Sequence, residues 1–394
     1  MATHGKRRGE AGAVAAAVTG LLGLTAVTVA PVSPQPAFAQ EPRTGAAVDT
    51  RPRSVVPGVN GRIALRPDGK VFATVSDATV RQWSTATGRP VAKTLSGITG
   101  TVHSIEFSSD GELLAVAGDN GVSLWDPVTG KPSGSPLTGH TGPVRSVVFS
   151  ATGRLMATAG DDGTARLWDS STGRAVHTLS GHKGGVRTVV FSRDGRRLAT
   201  AGADDTVRLW EARTGRPIGA PLTVSPGPVY ATSFSPDGRL LAASGGGNVV
   251  RLWNPATGEP AGQPITSDSG PVYALTFSVG KKLLATSSGG NNTVRLWNTA
   301  TRRPAAAPLT GHTGPVRAMR FGQNGKLLAT GSDDGSVRLW DTATGGPHGS
   351  PLTGHDGPVW ALRIAPGGKR LVTAAADDKV RLWRITGKGS PTAP

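Results

Sequence analysis

Eight tryptophans recur along the chain at a nearly fixed interval: Trp83, Trp125, Trp168, Trp210, Trp253, Trp297, Trp340 and Trp383 lie 42 to 44 residues apart. A period in that range marks a repeat architecture, in which each unit is too small to bury a core alone and must stack on its neighbours. The 394 residues are therefore read as one extended unit, not as two or three independent domains. A ninth tryptophan, Trp360, stands off the period.

Aligned on tryptophan, each unit shows three short alternating runs separated by turns. One unit reads Gly-His-Thr-Gly-Pro-Val-Arg-Ser-Val-Val-Phe-Ser from Gly139 to Ser150, continues through Leu155 to Ala159, and closes with Ala165 to Asp169. Asp-Gly turns such as Asp110-Gly111 and Asp194-Gly195 punctuate the first two runs, because glycine supplies positive φ at little cost. A Thr-Gly turn follows the closing runs, as at Thr172-Gly173 and Thr257-Gly258, with Thr301-Arg302 in its place after Trp297, and leads to a fourth run such as the one ending at Pro351 to Gly354. Each unit is predicted to be a four-stranded antiparallel sheet. The 56 glycines and 30 prolines are too many turn residues for a helical protein.

These motifs resemble the WD-repeat family. The residues that carry the likeness are Gly139-His140, Gly181-His182, Gly311-His312 and Gly354-His355 at unit starts, with Leu-Trp-Asp closing units at Asp126, Asp169 and Asp341. The resemblance covers residues 53–387 and implies an all-β fold, a β-propeller of radially stacked blades. The unit count predicts a single eight-bladed propeller, beginning with a degenerate set from Val59 to Trp83; seven blades is the alternative. The last set lacks an apolar fourth strand beyond Trp383. Ser54-Val55-Val56-Pro57 is expected to supply it, closing the ring and removing exposed sheet edges.

Residues 1–39 read as a secretory signal peptide. Lys6, Arg7 and Arg8 precede an apolar run from Ala11 to Ala30, and Ala37-Phe38-Ala39 offers a cleavage site before Gln40. Residues 40–52 are expected to be a flexible linker and 388–394 a disordered tail. A secreted or envelope-associated monomer follows, with no membrane domain after cleavage. The alternative is a membrane anchor formed by the uncleaved helix. The absence of cysteine excludes thiol catalysis and cysteine metal sites, and leaves burial and hydrogen bonding to hold an exported fold. The formal charge is +17, and +15 once Lys6, Arg7, Arg8 and Glu10 are removed with the signal. Such an excess attracts acidic surfaces, nucleic acid or anionic wall polymers.

The family resemblance assigns the opening histidines to buried His–Asp–Ser/Thr–Trp hydrogen-bond chains. The matching sets are His140, Asp162, Thr158 and Trp168; His182, Asp204, Thr200 and Trp210; His312, Asp334, Thr330 and Trp340; and His355, Asp377, Thr373 and Trp383. The units ending at Trp253 and Trp297 lack the histidine and carry Gly247 and Asn291 in place of the aspartate, so they are expected to form the softest sector. Asp161-Asp162 and Asp333-Asp334 do not match a calcium loop. No nucleophile elbow, phosphate loop or paired catalytic carboxylates stand out, and neither a metal, a cofactor nor a catalytic residue is expected.

Within a repeated unit, the informative positions are those that do not repeat. The position after the recurring valine of the first strand, which is Asn60 in the first unit, reads Gly61, His103, Arg145, Arg187, Tyr230, Tyr273, Arg317 and Trp360. In WD-repeat proteins the matching position lies on the narrow face near the central channel, where partners dock, and Arg, Tyr and Trp dominate binding hot spots. The expected function is a non-enzymatic scaffold holding a protein partner through that face. The alternatives are binding of an anionic polymer through the basic ring and, third, an enzyme using the channel mouth.

Overall fold

The computed structural model describes residues 52–57, 62–76, 78–225 and 227–385. The signal segment, the linker up to residue 51, Gly61 and the tail from 388 lie outside the described residues. Within them the chain is all β, with eight antiparallel sheets and no helix. Among the described residues no helix is long and apolar enough to cross a membrane.

The repeated unit becomes a meander of three hairpin-linked strands. In the third sheet these are Val144–Phe149, Leu155–Gly160 and Ala165–Asp169, with Ala175–Leu179 as the outer strand. The first sheet runs Ile63–Leu65, Val71–Ser76 and Thr79–Ser84. Four sheets have four strands, and four have only three. In the three-stranded sheets the outer segment touches its neighbour through isolated bridges, such as Val122↔Leu137 and Trp125↔Pro132. Pro90, Pro132, Pro304 and Pro347 sit in that segment without an N–H to donate, but proline alone does not account for the shortfall, since Pro217 holds the same place in the full outer strand Pro217–Thr223. The expectation of a regular fourth strand in every unit is corrected accordingly. In the last sheet, Ser54–Pro57 pairs with Lys379–Arg384 in the register Ser54↔Leu382 to Pro57↔Lys379.

Packing between sheets carries the fold. The described residues contain eight apolar clusters, and each spans two sheets and contains one of the periodic tryptophans. Trp168, for instance, packs against Ala115, Val122 and Leu124 of the sheet before it. Trp83 packs with Phe72, Ile63, Val372, Val380 and Leu382, so the first sheet lies against the last. Burying one such indole contributes roughly 2–3 kcal/mol. The first strands also lie against one another from sheet to sheet, and Ile63–Leu65 touches both Val102–Phe107 and Val359–Ile364. The first strands therefore form the inner wall of the assembly.

Candidate functional site: the bulge ring on the inner strands

The non-repeating position is a β-bulge. Pairing between first and second strands skips one residue after the valine, between Val102 and Ser104, Val144 and Ser146, Val186 and Thr188, Val229 and Ala231, Val316 and Ala318, and Val359 and Ala361. The skipped residues are His103, Arg145, Arg187, Tyr230, Arg317 and Trp360. A bulge leaves its extra residue out of the ladder and re-aims its side chain. In the sixth sheet the first strand is reduced to Leu275–Phe277, so Tyr273 precedes it.

The ring is less open than expected from sequence. His103, Tyr230 and Arg317 are buried; Arg145, Arg187, Tyr273 and Trp360 are half-buried. Much of the ring is held by carboxylates sixteen residues downstream. Arg317 donates from Nη2 to Asp333 at 2.8 Å, and Arg145 donates from Nε to Asp161 at 2.8 Å. His103 Nε2 lies 2.6 Å from Asp119 Oδ1, and Arg145 Nη1 reaches the same nitrogen at 3.1 Å. Burial, with help from the Arg145 charge, outweighs Asp119 and lowers the His103 pKa below its ordinary value. Arg187 has Ala203 at the corresponding position, and Trp360 has Ala376.

Three ring residues converge. The rings of Tyr230 and Tyr273 lie 5.3 Å apart at 57°, and the Arg317 guanidinium sits 3.9 Å above the Tyr273 ring. The charges of Arg187 and Arg317 both act on the Tyr230 hydroxyl, whose pKa burial nonetheless raises. Glycine makes room for this cluster: a Cβ on Gly289 would stand 2.6 Å from the Tyr273 ring. Trp360 packs on the apolar seam between first and last sheets, and its indole N–H is buried without an acceptor.

The four hydrogen-bond chains lie beneath this face. In the third sheet Trp168 Nε1 donates to Thr158 Oγ1 at 2.9 Å, the hydroxyl lies 2.8 Å from His140 Nε2, and His140 Nδ1 lies 2.8 Å from Asp162. Burial lowers the His140 pKa and favours the neutral imidazole, whose proton then sits on Nδ1 toward Asp162 while Thr158 donates to Nε2. The same geometry links Trp210, Thr200, His182 and Asp204, and Trp340, Thr330, His312 and Asp334. Trp383, Thr373, His355 and Asp377 keep the same contacts, but Arg381 Nη1 also lies 2.5 Å from Asp377 and 2.6 Å from His355 Nδ1. In the sixth sheet only Trp297 to Thr286 remains, at 2.8 Å, while Asn291 caps its own turn through Thr293. Asp161 and Asp333, considered from sequence as half of a metal pair, spend their carboxylates on Arg145 and Arg317.

The fold and this geometry define a class: sheets built from one repeated unit, each anchored by a tryptophan, and several by a histidine–aspartate chain. The WD40 family, described as WD domain, G-beta repeat, matches residues 89–126, 130–169, 173–211, 219–254, 262–298, 305–341 and 346–384. The chain belongs to this family, whose repeats generally serve as protein-interaction scaffolds without enzymatic activity. No curated protein matches it. Among solved structures it is similar to the computationally designed Ika8 protein, with a TM-score of 0.74 and 23% identity over 85% of this chain and 99% of that one. At that identity the likeness concerns the fold alone.

Proposed function

We propose that this chain is a non-enzymatic scaffold that binds a protein partner through the face carrying the bulge ring, outside the cytoplasm. The observation that supports it best is the convergence of Tyr230, Tyr273 and Arg317, with half-buried Arg187 and Trp360 on the same ring. Aromatic and guanidinium groups in a partly dry cluster are the chemistry of interface anchors. A partner carboxylate would pair with Arg187.

The test uses the exported form. N-terminal sequencing should find Gln40 as its first residue, and capture from the exported fraction should return a defined partner. Arg187→Glu combined with Trp360→Phe leaves the Asp333–Arg317 pair and the tyrosine stack intact. It should reduce capture at least about tenfold, given ~2 kcal/mol for an interface anchor. Undiminished capture by a folded double variant would refute the reading. If binding instead collapses steeply with salt for any polyanion offered, the basic surface acts as an anionic-polymer site.

For the architecture we infer an eight-bladed ring closed by Ser54–Pro57. Seven repeats match the family, from residue 89 to 384. Support for an eighth comes from the sheet at Ile63–Ser84, its Trp83–Thr74 hydrogen bond of 2.9 Å, and the antiparallel pairing of Ser54–Pro57 with the last sheet. Deleting residues 51–57 exposes that edge and should lower the melting temperature sharply. An unchanged value would rule out closure by this strand.

A further inference from the structure

The residue two places before each periodic tryptophan is arginine in seven of the eight units and Ser123 in the second. The structure shows what six of these arginines do. In the third, fourth and seventh sheets the guanidinium lies over the glycine that opens the unit. A Cβ on Gly139, Gly181 or Gly311 would stand 2.6, 2.9 or 2.5 Å from Nη1 of Arg166, Arg208 or Arg338. In the eighth sheet Arg381 donates to the Gly354 carbonyl and to Asp377. The fifth and sixth units lack the opening histidine, yet Arg251 donates to the Val224 carbonyl and Arg295 to Asp268, each at 2.7 Å. The arginine thus covers the entry turn even where the imidazole is lost.

The second sheet, built from Val102–Phe107, Leu114–Gly118 and Gly121–Trp125, gives up both groups. Ile98 stands in place of the histidine and Ser123 in place of the arginine. A Cβ on its opening glycine, Gly97, would meet nothing within 4 Å. The vacated space is a recess of about 230 Å³, with buried Ile98, Val116, Val122 and Trp125 in its walls and exposed Asn120 and Pro132 at its edge. Ser123 turns its hydroxyl to the Trp125 indole N–H, which it accepts at 2.8 Å. Charge has left with the side chains, since Asn120 replaces the aspartate that faces the histidine in the third sheet, Asp162. Protein interiors leave few voids of this size, and apolar walls offer water too few partners to hold it. A dry cavity of about 150 Å³ accepts benzene, so this one has room for a second fused ring. The groups that the sister sheets insert here, imidazole and guanidinium, are both flat, and that sets the shape of an occupant.

We propose that this recess binds an uncharged, flat aromatic molecule of about two fused rings. The site is apart from the Tyr230–Tyr273–Arg317 cluster and does not rest on the scaffold reading. Indole is the probe, titrated into the mature protein by calorimetry, with benzamidinium as a flat cation for comparison. Expected is saturable binding near one indole per chain, with a Kd at or below about 1 mM. Benzamidinium should bind at least about tenfold more weakly, because a cation among these walls finds no carboxylate. Ser123→Arg puts the guanidinium back and should weaken indole at least about tenfold while the melting temperature holds or rises. Ile98→Phe fills the recess from the other side, and it decides the matter if Ser123→Arg does not fold. Arg187→Glu on the ring should bind indole as the parent does. Absence of saturable binding at millimolar indole, benzamidinium binding as tightly as indole, unchanged affinity in a folded filling variant, or an equal loss in Arg187→Glu would overturn the proposal.

Discussion

The second and third sheets descend from one repeated unit and solve the same packing problem in opposite ways. In the third, His140, Thr158, Asp162 and Trp168 form an unbroken polar chain through an otherwise apolar seam. In the second, the corresponding residues are Ile98, Val116, Asn120 and Trp125. With no hydroxyl to meet at Val116, the Trp125 indole donates to Ser123 on its own strand at 2.8 Å. Asn120 turns to Thr99 at 3.0 Å, and the space the imidazole would fill remains as a recess of about 230 Å³ lined by Ile98, Val102, Val116, Val122 and Trp125. The sheet itself survives the exchange, because the tryptophan still packs on the sheet before it. The difference teaches that the indole's apolar contacts hold the repeat, while the polar chain adds rigidity only where every member is present.

The contrast can be broken most directly at the aspartate. Asp204 accepts from His182, the Lys183 N–H and Thr206, so Asp204→Ala orphans several donors and should cost about 1–3 kcal/mol in urea unfolding. Asn120→Ala, its counterpart in the second sheet, should stay within about 0.5 kcal/mol. Equal costs would mean that the chain contributes nothing beyond surface polarity.

Grafting the chain sharpens the same point. Val116→Thr alone buries a hydroxyl without a partner and should destabilise. Together with Ile98→His and Asn120→Asp it should recover, with a favourable coupling of about 1 kcal/mol among the three. Strict additivity in the three-way cycle would show that the sheet cannot form the chain.

Acid offers the gentlest test. Burial lowers the His140, His182 and His355 pKa values below the ordinary 6.5, so these side chains fold neutral. Below pH 6.5 the unfolded chain takes up protons that the folded chain refuses; stability is therefore full above that value and falls as pH drops toward the folded pKa values. Burial pushes Asp204 upward, but its hydrogen bonds from Lys183, His182 and Thr206 win and hold it at about 2. Its contribution is lost later, as pH falls from 3.8 to about 2. The urea midpoint should decline through the first window, and His182→Gln should flatten that decline. A midpoint insensitive to pH there would contradict neutral folding of the histidines.

Much of the sheet pattern and of the chains was legible because both depend on spacing within one unit. His140 and Asp162 are 22 residues apart, as are His312 and Asp334, and antiparallel register alone carries them together. One signal at the ring was available and passed over. An aspartate follows His103, Arg145 and Arg317 by sixteen residues, at Asp119, Asp161 and Asp333, whereas Arg187 and Trp360 are followed by Ala203 and Ala376. That covariation within a single chain already separates clamped ring residues from unclamped ones. The irregular outer strands were less legible, since a proline stands at the same place in a segment held by bridges, Pro132, and in a full strand, Pro217.

By itself, then, the sequence determined the repeated unit, the tryptophan that anchors it and the partners inside each sheet. Only the tertiary structure decided that six of the ring residues are bulges, and that Tyr273 meets Tyr230 on one side and Arg317 on the other, across three sheets. The physical reason is that contacts within a sheet follow from strand register, which the chain encodes in its periodicity. Contacts between sheets follow from how sheets stack and turn about the axis, which no spacing along the chain records.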